Sequence, residues 1–117
     1  SRKALQEALA KNEAGRRSPP ATFFAVVSEE DRKWVDSKTT AQPNGIPMQP
    51  IKLTGARDKV TKKTYIRAAK YPQAAFDKAL AQCKADKNWQ TYETDSAGHD
   101  VMVDAPDWLT EILVKHS

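Results

Sequence analysis

TYIRAAKYP, residues 64–72, reads as a short β-strand that a proline ends, and it begins the part of the sequence that decides the fold. A second strand is predicted at WQTYET, residues 89–94, from its aromatic and β-branched content. The spacing of apolar residues between the two predicts an amphipathic helix over residues 73–87, and a last helix is predicted to begin near Pro106. The apolar residues of the first of these helices are Phe76, Leu80 and Cys83.

The order from about residue 60 is therefore strand, helix, strand, helix, which is typical of a parallel α/β sheet. Such a sheet is buried on both faces, and two strands with their helices would leave long edges open. The sequence predicts half of an α/β domain. Residues 1–55 are interpreted as a mainly helical cap segment, residues 56–117 as core strands and helices, and the remaining core is expected on a separate piece.

Within the cap segment, a helix is predicted over residues 2–14. The apolar run FFAVV, residues 23–27, is either a buried strand or a segment pressed against a core. Ser28 and the acidic residues after it resemble a helix cap, and the helix that follows is predicted to turn Trp34 and Val35 inward.

The charge and the cysteine content narrow the class of protein. The net charge is +4 over 117 residues, with both signs interspersed and no recognised nucleic-acid motif, so no nucleic-acid partner is predicted. The single cysteine, Cys83, excludes an internal disulfide and a cysteine-based zinc site, and it predicts a cytoplasmic protein. No apolar run approaches the ~18 residues that a membrane helix needs.

His99 is the leading candidate for chemistry, because it lies in the loop between the second predicted strand and the next helix. Loops at the carboxyl ends of parallel strands gather functional groups, and an exposed imidazole there suits a general base. The competing interpretation is a histidine that only caps the following helix or turn.

A nucleophile and an acid for such a base are harder to find in the sequence. No serine stands in a G-x-S-x-G turn, Ser96 reads as a turn residue, and Cys83 reads as a buried thiol. His116 is expected to interact with the negative end of the last helix. No metal-ligand spacing occurs. The candidate carboxylates are Asp77, Asp95, Asp100 and Asp104.

Three stretches together carry a resemblance to a known family: EEDRKWVDSKTTAQPNGIPMQPIKLTGA, KTYIRAAKYPQAAFDKAL and WQTYETDSAGHDVMVDAPDWLTEILV. They resemble the second half of α/β-hydrolase-fold proteins, in the branch of small bacterial esterases and amide or carbamate hydrolases related to plant methylesterases and hydroxynitrile lyases. The most specific part is GHDVM, residues 98–102, followed by a helix with a proline near its start.

The resemblance implies that His99 is the general base of a serine triad and that the serine and the oxyanion hole lie in the other half of the protein. It implies no cofactor. Relatives often carry the triad acid just after the strand that corresponds to TYIRAA, where this chain has Lys70 and Tyr71. The acid therefore comes either from the other half or from Asp77.

The resemblance also implies a serine hydrolase of a small ester, amide or carbamate, with the cap segment covering the substrate. The alternatives are a lyase of the hydroxynitrile type on the same fold and a non-catalytic binding module. The residues interpreted as substrate-pocket lining, each equally plausible as cap core, are Phe23, Phe24, Trp34, Ile46 and Met48.

Overall fold

A computed structural model describes residues 2–11 and 15–117 of the chain. The first helix follows the prediction up to residue 10, Lys11 is in a turn, and residues 12–14 of the predicted extent lie outside the described residues. The helices are α1 (Arg2–Ala10), α2 (Glu29–Lys38), α3 (Ala74–Ala85), α4 (Val101–Asp104) and α5 (Pro106–Lys115), and the strands are β1 (Gly15–Arg16), β2 (Gln42–Pro43), β3 (Lys63–Ala68) and β4 (Trp89–Thr94).

The two longer strands, β3 and β4, form a parallel pair, as the strand–helix–strand order predicts. Their register runs from Lys63 opposite Trp89 to Ala68 opposite Thr94. The connection through α3 is the crossover that parallel strands need. Within the described residues, β4 is the one strand hydrogen-bonded to β3, so the other edge of β3 is open.

Helices cover both faces of this pair. On one face, the Lys84 ammonium of α3 forms an ion pair with the Glu93 carboxylate of β4. On the other, the Tyr92 hydroxyl lies 2.8 Å from Nε2 of His116 at the end of α5. Because successive strand residues point to opposite faces, α3 and the C-terminal end of α5 lie on opposite sides of the sheet. His116 follows the last residue of α5, at the helix end where the sequence predicts it to act, and its ring also lies within hydrogen-bond distance of Tyr92.

The start of α2 confirms the predicted cap, because the Ser28 hydroxyl accepts a hydrogen bond from the Asp31 amide at 3.0 Å. The prediction that Trp34 and Val35 both face inward is wrong for Trp34, which is 56% exposed, whereas Val35 is buried. Successive helical residues point about 100° apart, so a helix resting on a small core buries one of the two and leaves the other in solvent.

The run FFAVV is a segment pressed against a core, the second of its two interpretations. Residues Ala21–Phe24 form a 3₁₀-helix, and Ala25 ends it in the left-handed region with φ of 58°. A left-handed residue turns the chain sharply and is incompatible with a strand. The core beneath this segment consists of Ala21, Val26 and Val35, with Phe24 and Val103 packed against it.

Candidate active site

The candidate site lies at the carboxyl edge of β3 and β4, where the loops that leave the two strands run side by side. The Ala69 amide donates a 2.7 Å hydrogen bond to the Thr94 carbonyl, which extends the pairing to the ends of both strands. The first loop carries Tyr71 and the second carries His99, and their ring centroids are 5.1 Å apart. Parallel strands bring their loops to one edge in this way, so the predicted position of His99 is the one found.

Three aromatic rings surround the imidazole of His99. Phe76, from α3, stacks on it at 5.5 Å with 12° between the planes, and Phe24 stacks at 5.8 Å with 24°. Tyr71 lies at a tilt of 43°. Stacked rings fix the plane of an imidazole without engaging its nitrogens, which lie in that plane. His99 is exposed, and within residues 2–11 and 15–117 no side chain forms a hydrogen bond with its ring.

Backbone contacts join the His99 loop to residues 24–25 of the chain. The His99 amide donates to the Phe24 carbonyl at 2.8 Å. Gly98 lies so close that a Cβ placed on it would be 2.2 Å from the Ala25 carbonyl oxygen. That distance is well inside van der Waals contact, so this approach requires glycine.

Arg67 is a buried charge, 4% exposed, at the end of β3. Its guanidinium donates to Asp77 Oδ1 at 2.8 Å, to the Tyr71 carbonyl at 3.0 Å and to the Ala68 carbonyl. A planar guanidinium has five donors, so it can satisfy acceptors from several neighbouring segments at once. Arg67 therefore connects the start of α3 to the loop that presents Tyr71 to His99.

We expect Arg67→Met to lower the free energy of unfolding of the protein by about 2–4 kcal/mol, because the Ala68 and Tyr71 carbonyls and the Asp77 carboxylate lose their donor. Asp77→Asn keeps an acceptor oxygen on a side chain that is 62% exposed, so its cost should be about 1 kcal/mol. Chemical denaturation measures both. Arg57→Met, on an exposed arginine, is the matched control, expected within about 0.5 kcal/mol of the wild type. Equal losses for Arg67→Met and Asp77→Asn would contradict this account.

The predicted carboxylates occupy different surroundings. The Asp77 carboxylate is paired with Arg67, and Asp95 is exposed. Asp100 precedes α4, and its backbone carbonyl accepts a hydrogen bond from the Val103 amide. Asp104 accepts two backbone hydrogen bonds, from the amides of Val27 and Gly98. In the part of the chain that the structure describes, none of these carboxylates is hydrogen-bonded to His99.

The surroundings of Ser96 and Cys83, the other two residues that the sequence analysis considered as nucleophiles, fit structural roles. Ser96 is a turn residue whose hydroxyl lies 2.8 Å from that of Thr94. Cys83 is buried on the sheet-facing side of α3. Among residues 2–11 and 15–117, no group of three or more histidine, cysteine or acidic side chains is arranged to hold a metal ion.

A cleft of about 160 Å³ adjoins His99 along β3. Of the residues predicted to line a pocket, Phe24 contacts the His99 ring and Phe23 contacts Phe24 and Tyr71. None of the five predicted residues, Phe23, Phe24, Trp34, Ile46 and Met48, is in the wall of this cleft. The wall consists of Tyr65, Ile66, Arg67, Ala68, Phe76, His99 and Val101.

Sequence reasoning did not assign Tyr71, Phe76 or Arg67 to the site. Phe76 has the helical spacing of a core residue, and it is also at the first turn of α3, the end nearest the His99 loop. Tyr71 occupies the loop after β3, a position that by itself signals proximity to the next loop. An arginine between apolar strand residues was the available signal for Arg67, since charge within a strand needs a partner.

Comparison with known proteins finds one relative of stated activity, a carbendazim hydrolyzing esterase from Nocardioides sp. (strain SG-4G). The two sequences are 32% identical over 94 residues, which cover 80% of this chain and 38% of the relative. The chain is thus similar to an esterase over most of its own length, and it spans about two-fifths of that esterase. No protein-family model and no solved structure matches the chain. Every helix in the described residues is too short or too polar to cross a membrane.

Proposed function

We propose that this chain is part of a serine hydrolase of the α/β-hydrolase fold and that His99 is its general base. The observation that carries the proposal is the placement of His99. An exposed imidazole lies in the loop after a parallel strand, its plane set by Phe24 and Phe76. The similarity to an esterase over 80% of the chain supports the same reaction class.

In this proposal His99 accepts the proton of a serine hydroxyl as the oxygen attacks the carbonyl carbon of the substrate. The protonated imidazole then returns the proton to the leaving alkoxide or amine, and water repeats the cycle on the acyl-enzyme. The serine and the oxyanion-hole amides belong to the N-terminal part of the same protein. Such a site needs no metal or cofactor, since the triad and the backbone donors suffice.

The open edge of β3 supports the proposal that an N-terminal part of the protein packs beside this chain. The cleft beside His99 is walled by four successive β3 residues, Tyr65 to Ala68, whose side chains alternate between the two faces. Because residues of both faces take part, the cleft runs along the edge of β3. A strand of the N-terminal part paired at this edge would continue the parallel sheet and bring its own carboxyl-end loop beside His99.

The triad acid is placed in the N-terminal part as well. Asp77 points its carboxylate to the buried guanidinium of Arg67, at 2.8 Å. A carboxylate engaged there would have to give up a charge-assisted hydrogen bond before it could orient an imidazole. A strand that pairs in parallel with the open edge of β3 would end at the same edge of the sheet, which suits a carboxylate that approaches His99.

The proposed substrate is a small ester, amide or carbamate. The aromatic rings of Phe24, Tyr71 and Phe76 make the surroundings of His99 apolar, which favours a compact, largely apolar molecule over a charged polymer. The cap segment, residues 1–55, would cover it, since Phe24 of that segment already contacts the His99 ring.

The test is a substrate panel on the full-length protein, with esters, amides, carbamates including carbendazim, and cyanohydrins, combined with labelling by a fluorophosphonate probe. We expect hydrolysis of at least one acyl substrate and one covalent label per protein, on a serine outside residues 1–117. Active serine hydrolases react with such probes because the same base activates the same hydroxyl.

Two other results of this test would each replace the proposal. Cleavage of cyanohydrins without acyl hydrolysis would replace the proposal by a hydroxynitrile-lyase activity on the same site. A folded protein with no turnover and no label would make this chain part of a binding module, with His99 as a packing residue.

A further inference from the structure

Asp104 joins two segments that are far apart in the sequence. Its Oδ1 accepts from the Val27 amide at 2.8 Å, and its Oδ2 accepts from the Gly98 amide at 2.7 Å. One segment leads from Phe24 in the cap, and the other leads directly into His99. A carboxylate that accepts from one backbone N–H of each segment holds both at a fixed separation.

Both oxygens of Asp104 accept from backbone donors, and neither is hydrogen-bonded to the imidazole of His99. Its effect reaches His99 through the backbone. The Gly98 amide adjoins the His99 amide, which donates to the Phe24 carbonyl at 2.8 Å. Asp104, half-buried at the end of α4, thus closes a ring of hydrogen bonds around the contact of Phe24 with His99.

We propose that Asp104 is a positioning residue for the general base, a role that rests on the proposed hydrolase function. It holds the Phe24 ring against the imidazole, 5.8 Å from centroid to centroid, and thereby sets the plane in which the His99 nitrogens meet the reacting hydroxyl. Proton transfer requires a heavy-atom distance of about 2.6–3.2 Å. A displacement of about 1 Å can cost about 100-fold in rate, so a residue that fixes this plane affects turnover without touching the substrate.

Asp104→Asn in the full-length protein tests the role. The amide keeps one acceptor oxygen and turns an NH₂ group toward a backbone N–H, so one of the two hydrogen bonds is replaced by two opposed donors. We expect kcat to fall about 10- to 100-fold while KM changes by less than about threefold. Asp107→Asn is the matched control, because Asp107 is an exposed carboxylate three residues away in the first turn of α5.

A second measurement does not depend on activity. Rings stacked on an imidazole shift the NMR signals of its ring protons, so the Hδ2 and Hε1 shifts of His99 report on Phe24 and Phe76. We expect Asp104→Asn to move these shifts toward those of the Phe24→Ala variant, and Asp107→Asn to leave them in place. Hydrogen exchange at the Gly98 and Val27 amides should become faster only in Asp104→Asn.

Three outcomes would overturn the proposal. They are unchanged His99 shifts in Asp104→Asn, a lower melting temperature with unchanged kcat per folded molecule, and an equal loss of kcat in Asp107→Asn. Failure of the proposed function is a separate result. If His99→Ala retained full activity, His99 would not be the base, whereas the NMR shifts and amide exchange would still decide whether Asp104 fixes the loop.

Discussion

His99→Ala is expected to lower kcat of the full-length protein by about 10⁴-fold or more, with the melting temperature within a few degrees of the wild type. Removal of the base leaves only binding and oxyanion-hole stabilisation, which account for the residual rate in serine hydrolases that lack a triad member. The side chain is exposed, and its ring takes no hydrogen bond from a side chain of the described residues, so its loss removes stacking contacts alone. Steady-state kinetics on any substrate that the panel identifies measure the effect.

The control for this prediction is the second histidine of the chain. His116 hydrogen-bonds the Tyr92 hydroxyl at the end of α5, away from the loops at the carboxyl edge of the sheet. His116→Ala should cost about 1 kcal/mol of stability and leave kcat within about twofold. If His99→Ala kept more than a tenth of the wild-type kcat, the base would have to be another group, and the proposed function would fail in its main element.

Gly98→Ala is expected to destabilise the full-length protein by about 3 kcal/mol, at the upper end of the range for an overpacked site. The added Cβ would be 2.2 Å from the Ala25 carbonyl oxygen and 2.7 Å from that of Phe24. Both neighbours are backbone atoms, so a side-chain rotation cannot relieve the clash. The segment from Phe24 to Ala25 would have to move away, and the hydrogen bond from the His99 amide would move with it.

Thermal unfolding measures this loss, which corresponds to a decrease in melting temperature of about 6–12 °C for a protein of about 150–250 residues. Gly45→Ala is the matched control, because no atom lies within 4 Å of an added Cβ and the backbone there, with φ of −67°, is open to any residue. Its melting temperature should equal or slightly exceed that of the wild type. A Gly98→Ala protein as stable as Gly45→Ala would mean that residues 24–25 do not pack against the His99 loop.

The elements that sequence patterns predicted are those set by near neighbours in the chain. The strand WQTYET is found at the predicted residues, α3 lies within its predicted range, and Pro106 opens α5. The Ser28 cap and the burial of Cys83 also agree with the prediction. Propensity, capping and apolar spacing all act within a few residues, so a single sequence contains the information.

The predictions that failed or stayed incomplete concern contacts between distant segments. Trp34 was expected inside and is exposed, because what covers a helix face depends on a core formed by the segment before it. The prediction of Asp77 as a possible triad acid is not decided by the structure, which shows its pairing with Arg67. The cap interpretation of residues 1–55 likewise stays a proposal.

The sequence by itself determined the strand–helix–strand–helix order, the parallel pairing that this order requires and the position of His99 in a loop at the carboxyl edge. Only the tertiary structure decided which rings surround His99 and that Asp104 and Gly98 hold residues 24–27 against its loop. The physical reason is the range of the interactions. Helix and strand patterns arise within one or two turns of chain, whereas the Val27–Asp104 hydrogen bond spans 77 residues and leaves no periodic trace in the sequence.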